Sequence, residues 1–244
     1  MSSRRAHVCV FDWDHSTVAD NTDTFIPNLL APGLLDSVRR AHPGAPWTSL
    51  MHEVARELHA RGHTRADMER ALRALPFFEE VPRACSALSA AGVRSFVLSD
   101  ANSFYISTGA SAMGIAHHLV EVVTNGAHFD AEGRLHITPH TPASAAHGCP
   151  RCPPNLCKGR EITALAGRHW AGGARVLYVG DGGGDVCACL QLSEGDVVAA
   201  RAGSGFALLP ALTSPPLAAQ MRASVAPWRD GRELLEVVMR FLEG

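Results

Sequence analysis

Short apolar runs ending in acidic or hydroxyl residues alternate along this chain with longer stretches in which apolar positions recur every three or four residues. The first run, residues 7–11, is continuous and β-rich, the pattern of a buried strand, and it stops at Asp12. From Pro27 to about Pro82 the period lengthens: residues 51–61 and 65–75 read as amphipathic helices, the second opening on a Thr64/Asp67 cap. Residues 85–91 read as a helix ended by Gly92, residues 93–98 as a strand running into Ser99-Asp100, and residues 104–113 as the next helix. A strand is predicted over 119–124, a hairpin with a Gly-containing turn over 128–137, and a loop rich in Pro, His, Ala and Cys over 138–154. A helix over 161–170, a strand over 175–179 ending in Gly180-Asp181, a short strand over 196–200 and a helix over 229–242 complete the pattern. Strands alternating with helices predict a parallel, doubly wound α/β sheet, with ligands beyond the carboxyl ends of the strands.

The 244 residues suffice for one sizeable domain, or for a core carrying a small inserted module. With 46% hydrophobic and 19% charged residues, the chain has the balance of a globular protein rather than a disordered one. A formal net charge of −2 without a Lys/Arg stripe gives nucleic acid or an anionic membrane nothing to bind. The apolar run behind Arg4 and Arg5 breaks at Asp12, too short for a secretory signal, and the uncharged stretch 202–221 carries Pro210, Pro215 and Pro216, which disfavour a spanning helix. A cytoplasmic protein with reduced thiols is therefore expected, its seven cysteines being too few and too scattered for a disulfide scaffold.

Asp12 and Asp14 stand two apart at the exit of the first strand. Extended chain would put both carboxylates on one side, where one can stay ionised while the other holds a proton. Ser99 follows the second strand, Lys158 comes before a helix, and Gly180-Asp181 with Asp185 follows a third strand. In that order the set resembles the haloacid dehalogenase (HAD) superfamily, whose motifs run Asp-x-Asp-x-Thr/Val, Ser/Thr, Lys and Gly-Asp-x-x-x-Asp. Ser16 stands at the Thr/Val place and is expected to keep the Thr-type hydrogen bond; Gly184 stands where many relatives carry Asn. A closer resemblance, to the phosphoethanolamine/phosphocholine phosphatase family, is carried by residues 12–25, 98–102 and 178–190. The Cys149…Cys152-Pro153…Asn155-Leu156-Cys157-Lys158 run and Val225…Trp228…Asp230-Gly231 belong to the same likeness.

The resemblance implies an α/β protein with a HAD-type Rossmann-like parallel-sheet core, residues 1–23 and 83–244, and an inserted, mainly helical C1-type cap, residues 24–82. It implies a Mg²⁺-dependent phosphatase acting on a small phosphorylated metabolite, phosphoethanolamine or phosphocholine. Asp12 is the nucleophile that becomes an aspartyl phosphate, Asp14 the general acid and then base, and Ser99 and Lys158 hold the phosphoryl oxygens. Mg²⁺ falls to Asp12, the Asp14 backbone carbonyl and Asp181, with Asp185 behind them. Phosphomonoester hydrolysis needs accelerations of up to ~10²¹-fold, which no lone general base supplies, so a composite site is required. Asp23 and Asp100 fall near the leaving group, where spare carboxylates favour a cationic head; equally, Asp23 can cap a helix and Asp100 can orient Lys158. Phosphoserine, pyridoxal phosphate and pyrophosphate are the alternative substrates.

Cys149, Cys152 and Cys157, with His147 two residues ahead, are candidate ligands of a structural Zn²⁺. No second Cys-x-x-Cys accompanies them, so a packed, reduced loop that positions Lys158 is the reading adopted, with Cys187 and Cys189 assigned to the core. A zinc-stabilised binding protein on the same fold is the alternative of another class. Trp13, Phe25 and Tyr105 are read as core residues rather than a cation–π headgroup pocket.

Overall fold

The strand predicted over residues 7–11 becomes the hub of a seven-stranded sheet in the structure, a computed structural model that describes residues 6–244. The strands are β1 (Ala6–Phe11), β2 (Arg94–Asn102), β3 (Leu119–Phe129), β4 (Leu135–Thr138), β5 (Ala174–Gly180), β6 (Val197–Arg201) and β7 (Ser224–Trp228), in the order β4-β3-β2-β1-β5-β6-β7. All pairings are parallel except β3 with β4. Val10 faces Phe96 of β2 on one side and Tyr178 of β5 on the other.

Alternation along β1 divides the core. Cys9 and Phe11 pack on one face against α5 (Val81–Ala90), α6 (Ser103–Ala112) and α11 (Gly231–Glu243), through Leu88, Ile106 and Phe241. Val8 and Val10 pack on the other against α7 (Lys158–His169), α8 (Val186–Cys189) and α9 (Leu208–Thr213), through Leu165, Cys189 and Leu208. Because both faces are covered, the strand reads as an unbroken apolar run. A short helix, α10 (Pro215–Ala218), leads towards β7.

Between β1 and α5 lie four helices: α1 (Thr22–Leu30), α2 (Leu34–Ala41), α3 (Trp47–Ala60) and α4 (Arg65–Arg73). They enclose a third apolar cluster, including Ile26, Leu34, Val54, Leu58 and Leu72, completed by Tyr105 of α6 and by Leu135 and Ile137 of β4. The Thr64/Asp67 pair forms a full capping box at the start of α4.

Three elements differ from the sequence pattern. Residues 119–129 form one long strand, β3, instead of a strand followed by a separate hairpin arm; β4 supplies the antiparallel return. Helix α7 begins at Lys158, three residues earlier than its apolar period, because the Cys157 side chain caps it. β7, half-buried and carrying Pro227, is a strand that periodicity does not reveal. No helix among the described residues is long and apolar enough to cross a membrane.

Candidate active site

Since β1, β2, β5 and β6 run parallel, their carboxyl ends share one edge of the sheet, and at β1 the strand order turns from one direction to the other. That switch point is where open α/β sheets bind ligands. Asp12 follows β1, Ser99 and Asp100 stand near the end of β2, Lys158 opens α7, and Asp181 follows β5. Asp12, Asp14, Asp100, Lys158, Asp181 and Asp185 line one cavity of about 150 Å³. A larger cleft of about 470 Å³ beside Trp170 and Leu192 holds no comparable cluster.

Lys158, 3% exposed, lies between two carboxylates: its Nζ is 2.8 Å from Asp12 Oδ2 and 2.7 Å from Asp185 Oδ1. Burial pulls its ammonium down, but Asp12 and Asp185 more than offset this and hold it well above the usual lysine range. Burial and then Asp185 push the Asp12 carboxyl up, while Lys158 pulls it down. Burial and then Asp185 also push Asp181 up, to about 6. Burial is the larger cause of both rises, and crowding adds to it, for five carboxyl groups share one ammonium around the cavity. Negative charge is in surplus there.

Asp185 is saturated by donors. Lys158 Nζ and the Tyr178 hydroxyl, each at 2.7 Å, reach Oδ1, and the backbone N–H groups of Asp181 (3.1 Å) and Gly182 (3.0 Å) reach Oδ2. Four donors use the lone-pair sites of a carboxylate. Asp12, Asp181 and Asp185 carry carboxylate oxygens within 4.8 Å of one another.

Asp14 accepts bonds from the backbone N–H (2.8 Å) and hydroxyl (2.7 Å) of Thr22, yet burial and the neighbouring Asp23 raise its pKa well above the carboxylate range. Asp23 is buried in α1 and accepts the indole N–H of Trp47, from α3, at 2.7 Å; burial pushes it up to about 7. It does not cap α1, as one reading of the sequence had it: the Asn21 side chain does. The direct partners of Lys158 are Asp12 and Asp185, while Asp100 lines the same cavity and acts on the ammonium through its charge. Ser99 is fully buried, and its Oγ accepts the Ala101 N–H at 3.3 Å. The Ser16 hydroxyl donates to Asp181 Oδ1 at 3.2 Å, and the neighbouring Thr17 Oγ1 donates to the Asp12 carbonyl at 2.6 Å. Trp13 and Tyr105 are buried among core residues and Phe25 is packed against them, as read.

Sequence reasoning missed Trp47, Tyr178 and Arg201. The Arg201 guanidinium stacks 4.0 Å from the Phe206 ring centre, with Phe78 and Trp228 around it, and donates to the His15 carbonyl at 2.6 Å. His15 adopts φ 55°, a left-handed conformation uncommon outside glycine, in the turn that follows Asp14. Arg201 stands at the carboxyl end of β6, so the strand-end rule could have found it. No local signal marks Trp47.

The cysteine loop also differs from expectation. Cys187, assigned to core packing, lies with Cys149, Cys152 and Cys157, all four sulfurs within 4.8 Å; Cys189 is the one buried in the core. His147 stands outside the group, its Nδ1 taking the Cys149 N–H at 3.0 Å and its Nε2 lying 2.9 Å from the Pro153 carbonyl.

A parallel sheet with an acidic cluster and one buried lysine at its switch point agrees with the class its relatives give it, a phosphoric monoester hydrolase of the HAD superfamily. The chain belongs to the family described as Putative Phosphatase, whose model matches residues 7–242. It is 31% identical to "Inorganic pyrophosphatase 2" of Arabidopsis thaliana, over 99% of this chain and 86% of that protein. It is equally 31% identical to "Pyridoxal phosphate phosphatase PHOSPHO2" of Mus musculus, over 93% of this chain and 94% of that one. In fold it is similar to a substrate-bound phosphoserine phosphatase, with a TM-score of 0.59 and 15% identity, over 96% of this chain and 99% of that one. Membership in this family sets aside the binding-protein alternative.

Proposed function

We propose that the chain hydrolyses phosphoethanolamine or phosphocholine through a phosphorylated Asp12. The observation that carries the substrate reading is the charge surplus at Asp100, a carboxylate on the cavity wall that neither Lys158 nor the metal-ligand set engages: it suits a phosphoryl group attached to a cationic head. An ammonium beside Asp100, with Asp23 behind Asp14, would offset part of that surplus. A pyrophosphate would bring more negative charge to a cavity with one lysine.

In the first step an Asp12 Oδ–P bond forms in line as the bond from phosphorus to the substrate oxygen breaks, and the proton held by Asp14 passes to the departing alkoxide. In the second, Asp14 takes a proton from water as that water attacks phosphorus, the Asp12–P bond breaks, and phosphate leaves. Lys158 holds a phosphoryl oxygen. Ser99, whose Oγ already accepts one bond, donates its own proton to another. The surplus of buried carboxylates fits a hard divalent cation. Asp12, the Asp14 backbone carbonyl and Asp181 would hold Mg²⁺, and Asp185, its lone pairs engaged, supports them from behind. When bound there, the ion polarises and neutralises the phosphoryl oxygens. Residues 24–82 act as a cap that excludes water, with the Trp47–Asp23 bond tying α3 to α1 and to the acid/base pair.

A second reading keeps the chemistry and changes the substrate to pyridoxal phosphate or inorganic pyrophosphate; the names of the two relatives favour it. The test is a Mg²⁺-dependent phosphate-release panel of phosphoethanolamine, phosphocholine, phosphoserine, pyridoxal phosphate and pyrophosphate, run on wild type and Asp100→Asn. Phosphoethanolamine and phosphocholine should lead in kcat/KM, with the lead shrinking about tenfold in the variant. A lead for phosphoserine, pyridoxal phosphate or pyrophosphate would replace this substrate by that one.

A further inference from the structure

Four thiols meet outside the lining of the acidic cavity. Cys149, Cys152 and Cys157 come from the loop before α7, and Cys187 from α8, thirty residues further along the chain than Cys157. All are free, and Cys187 Sγ lies 3.7 Å from Cys149 Sγ and 3.8 Å from Cys157 Sγ. A disulfide needs ~2.0 Å, so these are not bonded pairs. Four thiolates placed ~2.3 Å from one Zn²⁺ at tetrahedral angles stand ~3.8 Å apart; the two Cys187 separations match this, and all four sulfurs lie within 4.8 Å of one another.

We propose that Cys149, Cys152, Cys157 and Cys187 form a tetrathiolate site for a structural Zn²⁺ that clamps the Lys158 loop to the Asp185 loop.

Two of the four ligands are tied to the catalytic frame. Cys157 directly precedes Lys158 and caps α7, its sulfur taking the Arg160 N–H at 3.4 Å. Cys187 follows Asp185 by two residues, and Asp185 is the carboxylate that Lys158 grips. One ion would thus cross-link the two segments whose side chains form the Lys158–Asp185 pair. Gly159 makes the approach possible: a Cβ there would fall 2.5 Å from Cys187 Sγ and 2.7 Å from its carbonyl oxygen. Tetrahedral sulfur sites also take iron, but a mononuclear d¹⁰ ion without redox chemistry is what a purely mechanical clamp requires.

The inference stands apart from the phosphatase reading, and its test is separable from it. Elemental analysis of the full chain, purified without chelator, should find about one zinc per chain. Asp12→Asn should retain that zinc and Cys152→Ser should lose it. Metal-free wild type titrated with Co²⁺ should develop the visible absorption and sulfur-to-metal charge-transfer bands of a tetrahedral tetrathiolate, a readout that needs no variant to fold. Cys187→Ser, which leaves the three loop cysteines in place, should change those bands and lower kcat while KM moves less than twofold, the signature of a displaced Lys158–Asp185 pair. Iron in place of zinc, zinc retained by Cys152→Ser, or a Co²⁺ spectrum without sulfur bands would each overturn the proposal.

Discussion

A carboxylate that attacks phosphorus must stay ionised, and at position 12 burial works against this while Lys158, 2.8 Å away, works for it. Changing Asp12 to Asn keeps the shape and removes the nucleophile, so phosphate release should fall on the order of 10⁴-fold or more, with the circular dichroism spectrum unchanged. Turnover within tenfold of wild type would discard the aspartyl phosphate. Asp23 makes a different prediction. Its carboxyl sits at about 7 when folded against 3.8 ordinarily, so the folded chain keeps a proton that the unfolded chain releases. Stability contributed by that proton is present below about pH 4 and is lost as pH rises towards 7, a difference of at most about 4 kcal/mol. In Asp23→Asn the Trp47 indole keeps an oxygen acceptor, yet the ionisable group is gone. Urea midpoints of the variant should therefore decline less steeply between about pH 4 and 7 than those of the wild type, the remaining slope coming from the other raised carboxyls. Removing the Asp23 charge also removes a cause of the raised Asp14 pKa, so the limb of the kcat profile assigned to Asp14 should move to lower pH. An unchanged slope and limb would show that Asp23 does not titrate in this window.

At the scale of elements, close packing sets the position of the catalytic turn. Trp13, between the two aspartates of the first motif, is wholly buried, and a Cβ on Gly109 of α6 would lie 2.6 Å from its Cζ2. Alanine in a helix interior gains about 1 kcal/mol over glycine. Here overpacking against a locked ring outweighs that gain, so Gly109→Ala should lose about 1–3 kcal/mol in denaturant unfolding and should lower kcat through the displaced Asp12–Asp14 turn. A more stable variant would mean that the ring has room to move. The same elements show what the sequence made legible. Strands buried on both faces and ending in Asp, Ser or Gly-Asp stand out, because periodicity and motif order are local properties, and Asp12, Asp14, Asp100, Lys158 and Asp181 do line one cavity. Helix α7 begins earlier than its apolar period because a cysteine, an unusual cap, starts it, and β7 hides behind Pro227 at the sheet edge. Cys187, Trp47 and Arg201 reach their partners across 30, 24 and 186 residues, and no spacing rule encodes such meetings.

For the molecule as a whole, the charge surplus is a stability statement. Carboxylates gathered at one end of the sheet repel one another in the folded chain and are dispersed in the unfolded one, so the folded state gains most from a divalent cation. Ligand linkage gives ~2.7 kcal/mol at a hundredfold excess over Kd, and ~2–4 °C per kcal/mol for a chain of this size. Protein dialysed into Mg²⁺-free buffer should thus melt about 5–10 °C higher once Mg²⁺ is restored at that excess, and should release phosphate only then. Asp181→Asn removes one carboxylate of the cluster and lightens the repulsion, so its metal-free form should melt above the metal-free wild type while its response to Mg²⁺ shrinks. That crossing of effects separates a cation site from a general salt effect, because screening alone would move both proteins in parallel. Equal shifts in the two proteins would therefore mean that the acidic cluster holds no ion, and the chemistry would have to run on Lys158 as the lone positive charge in the cavity.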